Sequence, residues 1–130
     1  MKNKIIYVSV DEMKEIKLRF QNNVLVVEIE GKKCSNLTDY LCLMSNLFCF
    51  PTKSRGLDSY NDWMTDLSWL NRNEIVIIIY DYSVFLNQDL SLKKCIIENF
   101  EKVILPWWES EVVNCMVDGK TKKVTVYLVD

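Results

Sequence analysis

The sequence predicts an α/β domain in which a single layer of mainly parallel strands packs with helices. Residues 24–29 and 74–80 are nearly unbroken apolar runs, a pattern typical of parallel strands that are covered on both faces. Residues 123–129 form a third strand candidate, and an N-terminal run at residues 4–8 adds a fourth. Helical segments lie between these runs, and strands that alternate with helices favour a parallel sheet with right-handed crossovers. We expect one domain over residues 1–130, with 74–80 as its central strand.

The first helix has a start signal in the sequence. Ser9 followed by Glu12 fits a capping box, in which the two side chains bond to each other's backbone amides. This signal predicts a helix that runs to about Phe20 and ends before Asn22. The strand at residues 24–29 then follows.

A second helix follows the turn at Gly31–Lys33. Ser35 or Asn36 caps it, and Pro51 closes it. Its apolar stripe is formed by Leu37, Tyr40, Leu41, Met44, Leu47 and Phe48. This stripe predicts a helix with one face on the core.

Residues 57–70 combine an apolar face with an acidic one. The apolar positions with helical spacing are Leu57, Tyr60, Met64 and Leu67. On the opposite side Asp58, Asp62 and Asp66 stack in successive turns, and Trp69 joins them if the helix continues that far. Like charges at this spacing repel, so the acidic row does not stabilise the helix. It is either a surface for a cationic partner or an ordinary solvated helix face.

The second half of the chain contains two more helix candidates. Residues 81–89 after the central strand are predicted as a loop. Ser91 then caps a helix over residues 92–105, which Pro106 interrupts. A further helix around residues 110–117 ends at a turn before the last strand.

The five cysteines favour reduced thiols over a metal site or disulfides. Their number is odd, no two form a CxxC pair, and the chain has no histidine to complete a zinc site. We expect mostly buried thiols in a cytosolic protein, with Cys42 and Cys49 in the core.

Composition excludes several functional classes. The net charge of −2 argues against a nucleic-acid binder that relies on bulk electrostatics. Without histidine, Ser-His and Cys-His nucleophile arrangements are impossible, and three isolated glycines leave no phosphate-binding loop. We therefore expect no enzyme, no cofactor and no metal. No signal peptide or membrane-spanning run is visible, so we expect a cytoplasmic protein.

Three features of the chain combine into one pattern. Residues 24–31 form a strand that ends in Ile-Glu-Gly, and a capped helix ends at Phe50 and Pro51. Residues 57–70 read Leu-Asp-Ser-Tyr-Asn-Asp-Trp-Met-Thr-Asp-Leu-Ser-Trp-Leu. Together they resemble the barstar family, bacterial intracellular inhibitors of ribonucleases, in which Asn-Trp-Asp-Ala-Phe-x-Asp-Cys-Leu-x-Asp-Leu-Ser-Trp-Leu is a recurring pattern. The resemblance implies a barstar-like core at residues 24–130 and an N-terminal strand–helix addition at residues 1–23.

The resemblance also implies a mechanism and a set of site residues. In the family, an acidic helix face and the loop before it block the cationic active site of a ribonuclease. By position, Asp58 and Asp62 match the two aspartates of that face. The candidate partner-binding set is Gly56, Asp58, Asn61, Asp62, Asp66 and Trp69. Asp66 and Trp69 belong to it through helical spacing, and a helix end at Ser68 would instead let Trp69 pack on the protein, which is the slightly favoured alternative.

The implied partner is a basic ribonuclease or toxin nuclease domain, bound by a chain that is a monomer when free and contacts neither nucleic acid nor membrane directly. The loop differs from the family pattern because Lys53 and Arg55 would face a basic enzyme unfavourably. This favours a partner other than barnase, or one with acidic spots of its own. Two alternatives are a non-inhibitory protein-interaction module on the same fold and an enzyme with an unrecognised carboxylate site.

Overall fold

The computed structural model describes residues 2–130, which form four strands and five α-helices. In chain order these are β1 (Lys4–Val8), α1 (Val10–Lys17), β2 (Val24–Glu30), α2 (Leu37–Leu47), α3 (Leu57–Met64), β3 (Glu74–Tyr80), α4 (Leu90–Asn99), α5 (Val112–Cys115) and β4 (Lys123–Val129). A 3₁₀ turn, Gly31–Lys33, follows β2. Two π-helical stretches, Phe100–Ile104 and Trp107–Glu111, connect α4 to α5.

The strands form one parallel sheet in the order β1-β4-β3-β2. β3 lies inside the sheet, with its Ile77 opposite Val27 of β2 and Val126 of β4. β1 pairs along its whole length with β4. The predicted α/β class, the parallel sheet and the central position of β3 are confirmed, and the N-terminal strand is the fourth member of the layer.

The sheet separates two apolar cores because side chains alternate between its faces. On one face Ile77 and Ile79 of β3 belong to the main core, which α2, α3 and α4 cover. On the other face Val76 and Ile78 pack with Met13 of α1. α3 and α1 therefore lie on opposite sides of the sheet.

The start of α1 is as predicted, but its end is not. The Ser9 hydroxyl accepts a hydrogen bond from the Glu12 amide at 3.1 Å, and the Glu12 carboxylate accepts one from the Ser9 amide at 3.0 Å. α1 ends at Lys17, and the chain reaches Phe20 through a turn. Phe20 lies outside the helix but still packs on the core that α1 covers. This packing explains why the apolar pattern continues beyond the end of the helix.

α2 is capped by Asn36, whose side-chain oxygen accepts from the Asp39 amide at 2.8 Å. It ends at Leu47, earlier than the predicted stop at Pro51. The backbone of Cys49 is left-handed, with φ of 54°, and this conformation directly after the C-cap residue Phe48 ends the helix before the proline is reached.

The predicted break between α4 and α5 is wrong. The cap is Asp89 rather than Ser91, with its carboxylate accepting from the Leu92 amide at 3.1 Å. From Leu90 to Cys115 the backbone stays helical, and Pro106 itself has helical φ and ψ of −63° and −35°. The π-helical stretches on both sides of Pro106 shift the hydrogen bonding, so the missing proline N–H does not end the helix.

The prediction of mostly buried thiols is also wrong. Cys34 is buried, whereas Cys42, Cys49, Cys95 and Cys115 are exposed. On α2 the buried positions are Tyr40, Leu41, Met44 and Ser45, so the side of Cys42 faces solvent. Cys49 lies beyond the helix end, and helical spacing therefore does not describe its position.

Candidate partner-binding surface

α3 begins at Gly56, whose extended backbone (φ −164°) precedes the first helical residue. The Ser59 hydroxyl accepts from the Arg55 amide at 3.1 Å and donates to the Gly56 carbonyl at 3.1 Å. One side chain therefore satisfies two backbone groups at the helix start and fixes the preceding loop on the first turn.

The inner face of α3 is anchored in the main core. Tyr60 and Met64 are buried, and the Tyr60 hydroxyl lies 2.6 Å from the Tyr40 hydroxyl of α2. This hydroxyl is in the core, not at its rim, and burial raises the pKa of both phenols. The indole N–H of Trp108 donates to the Met64 carbonyl at 2.8 Å at the other end of α3. These contacts hold the helix rigidly.

The outer face of α3 carries Asp58 and Asp62, one helical turn apart and both exposed. Within residues 2–130, neither carboxylate forms an ion pair or accepts a hydrogen bond. Each therefore keeps its full capacity to accept charge-assisted hydrogen bonds from a partner.

The acidic row does not extend along a single helix as predicted. α3 ends at Met64: the Asp66 amide donates to the Trp63 carbonyl three residues back, and Leu67 has a left-handed backbone with φ of 49°, so the chain turns away. Asp66 is exposed in this turn, on the edge of a cleft of about 450 Å³ that Lys120 and Lys122 also line. Asp66 is thus separated from the helical pair.

Trp69 lies outside the helix and does not join the acidic row. Its indole N–H donates to the Phe48 carbonyl at 2.8 Å. Its ring packs edge-on against Trp63 and Phe50, with centroid distances of 5.5 Å and 6.1 Å. This aromatic cluster fixes the end of α2 against α3, so Trp69 supports the surface from behind.

The two other candidate residues have different surroundings. The Asn61 side-chain oxygen accepts a 2.7 Å hydrogen bond from the side-chain Nδ2 of Asn99 in α4, which holds this half-buried side chain in place. At Gly56, by contrast, an added Cβ would meet no atom within 4 Å. The fold therefore does not require glycine at position 56.

The sequence shows that Lys53 and Arg55 form a basic loop, but it does not predict which part of the protein this loop packs against. Both are exposed, and they line a recess between α2 and the loop of residues 52–56. The apolar stripe of α2 predicts only which of its faces is buried, so no local signal places this loop beside Cys42. The hydroxyl pair of Tyr40 and Tyr60 was hidden for the same reason.

Two further properties of the described residues bear on chemistry. Within residues 2–130 no cluster of three or more His, Cys, Asp or Glu side chains could hold a metal ion. In the same part of the chain, no helix is both long enough and apolar enough to span a bilayer. What the surface offers is a pair of unpaired carboxylates on a rigid helix, which suits binding to cationic groups.

A comparison with protein-family models places this surface in a known context. The model described as Barstar (barnase inhibitor) matches residues 24–119. The chain belongs to the barstar family. No curated protein and no solved structure matches the chain. The matched residues run from β2 through α5 and include α3, while β1, α1 and β4 lie outside them.

The family is one of ribonuclease inhibitors, typified by the barnase inhibitor, and is not enzymatic. This relationship supports a ribonuclease-type partner in general.

Proposed function

We propose that this protein inhibits a ribonuclease by inserting the outer face of α3 into the cationic active site of the enzyme. Family membership supports the class of partner. The observation that carries the proposal is the exposed pair Asp58 and Asp62, which has no cationic partner within residues 2–130.

The physical argument starts from the cost of the pair in the free protein. Two carboxylates at i and i+4 repel each other, and only Asp58 lies in the first turn, where the helix dipole favours negative charge. Arginine, lysine or histidine side chains of a nuclease would relieve this repulsion and form charge-assisted hydrogen bonds. Because α3 is held by Tyr60 and Trp108, little conformational entropy is lost on binding.

Truncating one partner of such a desolvated, hydrogen-bonded charge pair generally costs about 2–5 kcal/mol. We assign the deepest position to Asp62 and a flanking position to Asp58. Gly56 would allow close approach of the partner backbone, and Asp66 and Asn61 would make peripheral contacts. Trp69 would act by positioning α3.

In the cell, the protein would act as an immunity protein. It would be a cytoplasmic monomer that neutralises a secreted or self-made ribonuclease without cofactor or turnover.

The test is a titration of bacterial toxin ribonucleases, barnase included, followed by competition with a mononucleotide that occupies the nuclease active site. We expect stoichiometric inhibition and an apparent dissociation constant that rises linearly with the mononucleotide concentration from its value without mononucleotide. Inhibition that is indifferent to the mononucleotide would contradict active-site occlusion.

A second candidate is a non-inhibitory interaction module on the same fold. The exposed cations Lys53 and Arg55 beside the acidic pair favour it, because they oppose docking on a uniformly basic enzyme. A tight complex with a nuclease that remains active would establish this alternative.

A further inference from the structure

A recess of about 360 Å³ opens between α2 and the loop of residues 52–56 that leads into α3. It is lined by Thr38, Leu41, Cys42, Lys53, Ser54 and Arg55. Two of its six lining side chains are cationic and none is acidic, so the recess differs in charge from the neighbouring face of α3.

The two cations of the recess are not used by the fold. Lys53 and Arg55 are both exposed, and neither lies within 4 Å of a carboxylate oxygen in residues 2–130. Arg55 is only three residues from Asp58, and the two side chains nevertheless form no ion pair. The positive charge is therefore available to a partner.

The wall of the recess carries a further unsatisfied group. The hydroxyl oxygen of Ser54 is buried and has no hydrogen-bond partner in the described part of the chain. A buried hydroxyl without a partner is costly, so the loop beside the recess keeps one unsatisfied polar group.

The loop holds these groups in a fixed relation to the acidic pair. The Ser54 amide donates to the Ser45 hydroxyl of α2 at 3.4 Å, and the Arg55 amide donates to the Ser59 hydroxyl of α3 at 3.1 Å. A partner that covers the outer face of α3 would therefore meet the recess at the same time.

We propose that the recess binds a carboxylate side chain of the partner nuclease, with Lys53 and Arg55 as its cationic ligands. This inference rests on the proposed function and makes it more specific. The partner has an acidic side chain at the rim of its cationic active site. Nucleases with a wholly basic rim are disfavoured because they place like charges against Lys53 and Arg55.

The first test needs no partner and measures whether the recess attracts anions. Cys42 lines the recess and is exposed, so its alkylation by iodoacetate and by the neutral iodoacetamide can be compared by peptide mass spectrometry. Both reagents react with the thiolate, so the ratio of the two rates does not depend on the fraction of Cys42 that is deprotonated. We expect the double variant Lys53→Gln/Arg55→Gln to lower the ratio of the iodoacetate rate to the iodoacetamide rate about threefold at low ionic strength.

The matched control is Lys14→Gln/Arg19→Gln. It removes the same two charge types from exposed positions at and after α1, on the other side of the sheet, and neither residue forms an ion pair within residues 2–130. This control should leave the ratio unchanged. An iodoacetate preference that does not respond to neutralising Lys53 and Arg55 would overturn the proposal.

The second test uses nucleases chosen in two groups, with and without an acidic residue at the active-site rim, and barnase among them. Neutralising Lys53 and Arg55 should weaken inhibition about tenfold on the best-inhibited nuclease and strengthen it on wholly basic rims. Unchanged or stronger inhibition of every nuclease, with Asp62→Ala still weakening it, overturns this inference and leaves the proposed function standing. Inhibition that responds to neither Asp62 nor the two cations overturns both.

Discussion

Among the single residues, the cysteines show how burial controls reactivity. Cys34 is 1% exposed, and burial, together with the Asp39 carboxylate, raises the pKa of its thiol to about 12. The thiolate is the reactive form, so Cys34 is protected both sterically and by its protonation. The four remaining cysteines are exposed.

We therefore expect four thiols to react rapidly with a disulfide reagent in the native protein at about pH 8, and the fifth only after unfolding. The measurement is the absorbance of the released thiolate with and without denaturant. In Cys34→Ser the native count should stay the same and the slow thiol should disappear. Five rapid thiols in the native parent would contradict the burial of Cys34.

Two glycines differ in role: Gly31 is required by the fold, whereas Gly56 is proposed to serve binding. At Gly31 an added Cβ would lie 2.3 Å from the Tyr80 carbonyl oxygen, whereas at Gly56 it would meet nothing within 4 Å. Gly31→Ala should lower the free energy of unfolding strongly, because backbone atoms block the added group.

Gly56→Asn should leave the free energy of unfolding unchanged or raise it slightly, because asparagine is at least as good an N-cap residue as glycine. The same change should weaken nuclease inhibition about tenfold or more if the partner backbone packs on this position. Urea unfolding and inhibition titrations measure the two effects separately. Wild-type inhibition by Gly56→Asn would remove Gly56 from the contact surface.

Among the elements, α3 is positioned by aromatic side chains behind it, and two tryptophans provide a matched comparison. The Trp69 indole N–H donates to the Phe48 carbonyl, whereas the buried Trp107 indole nitrogen has no partner within residues 2–130. Trp69→Phe should therefore destabilise the protein by about 1 kcal/mol more than Trp107→Phe, since only the first loses a hydrogen bond. Urea unfolding of the two variants gives this difference. Equal losses would show that ring packing alone determines the role of Trp69.

Much of the element order could be predicted, but helix ends could not. The buried strands are continuous apolar runs, and Ser9 with Glu12 marks the start of α1 through local chemistry. Leu67 shows the limit: it fits the apolar spacing of α3 and is buried, yet it follows the helix end with φ of 49°. A turn places it in the core, so helical spacing extended the acidic row too far and placed Asp66 on the helix.

The candidate site was predictable only where it depends on local sequence. Asp58 and Asp62 lie within one helix, so their common exposed face follows from spacing. The recess depends on α2 and a loop that meet only in the folded chain, and the Asn61–Asn99 hydrogen bond joins residues 38 positions apart. Periodicity within one element carries no information about such contacts.

At the scale of the whole molecule, α1 covers the face of the sheet that is opposite to α3. An ion pair joins α1 to strand β2. Lys17 of α1 donates to Glu28 of β2, and the Tyr80 hydroxyl donates to the same carboxylate at 2.7 Å. The Lys17 bond and then the Tyr80 bond lower the pKa of Glu28 below its ordinary value of 4.5. In the unfolded chain these hydrogen bonds are absent.

This difference predicts a pH dependence with a definite sign. Above about pH 4.5 Glu28 is charged in both states and its stabilisation is fully present, and it is lost as the pH falls through the lower folded pKa. Glu28→Gln should therefore be less stable than the parent at neutral pH, by about 1 kcal/mol or less because the pair is partly exposed, and the gap should close in acid. Urea unfolding at a series of pH values measures the gap. A gap that stays constant to the lowest pH would contradict the assigned role of Glu28.

The central claim is that Asp62 on the outer face of α3 enters the nuclease active site, and the most direct measurement is the inhibition constant of Asp62→Ala. The matched control is Glu15→Ala, which removes an exposed carboxylate from α1 on the other side of the sheet. We predict that Asp62→Ala weakens inhibition of the best-inhibited nuclease at least about tenfold, equivalent to about 1.4 kcal/mol, while Glu15→Ala leaves it unchanged. Equal inhibition by the parent and Asp62→Ala would contradict the claim and place the contact on another surface of the protein.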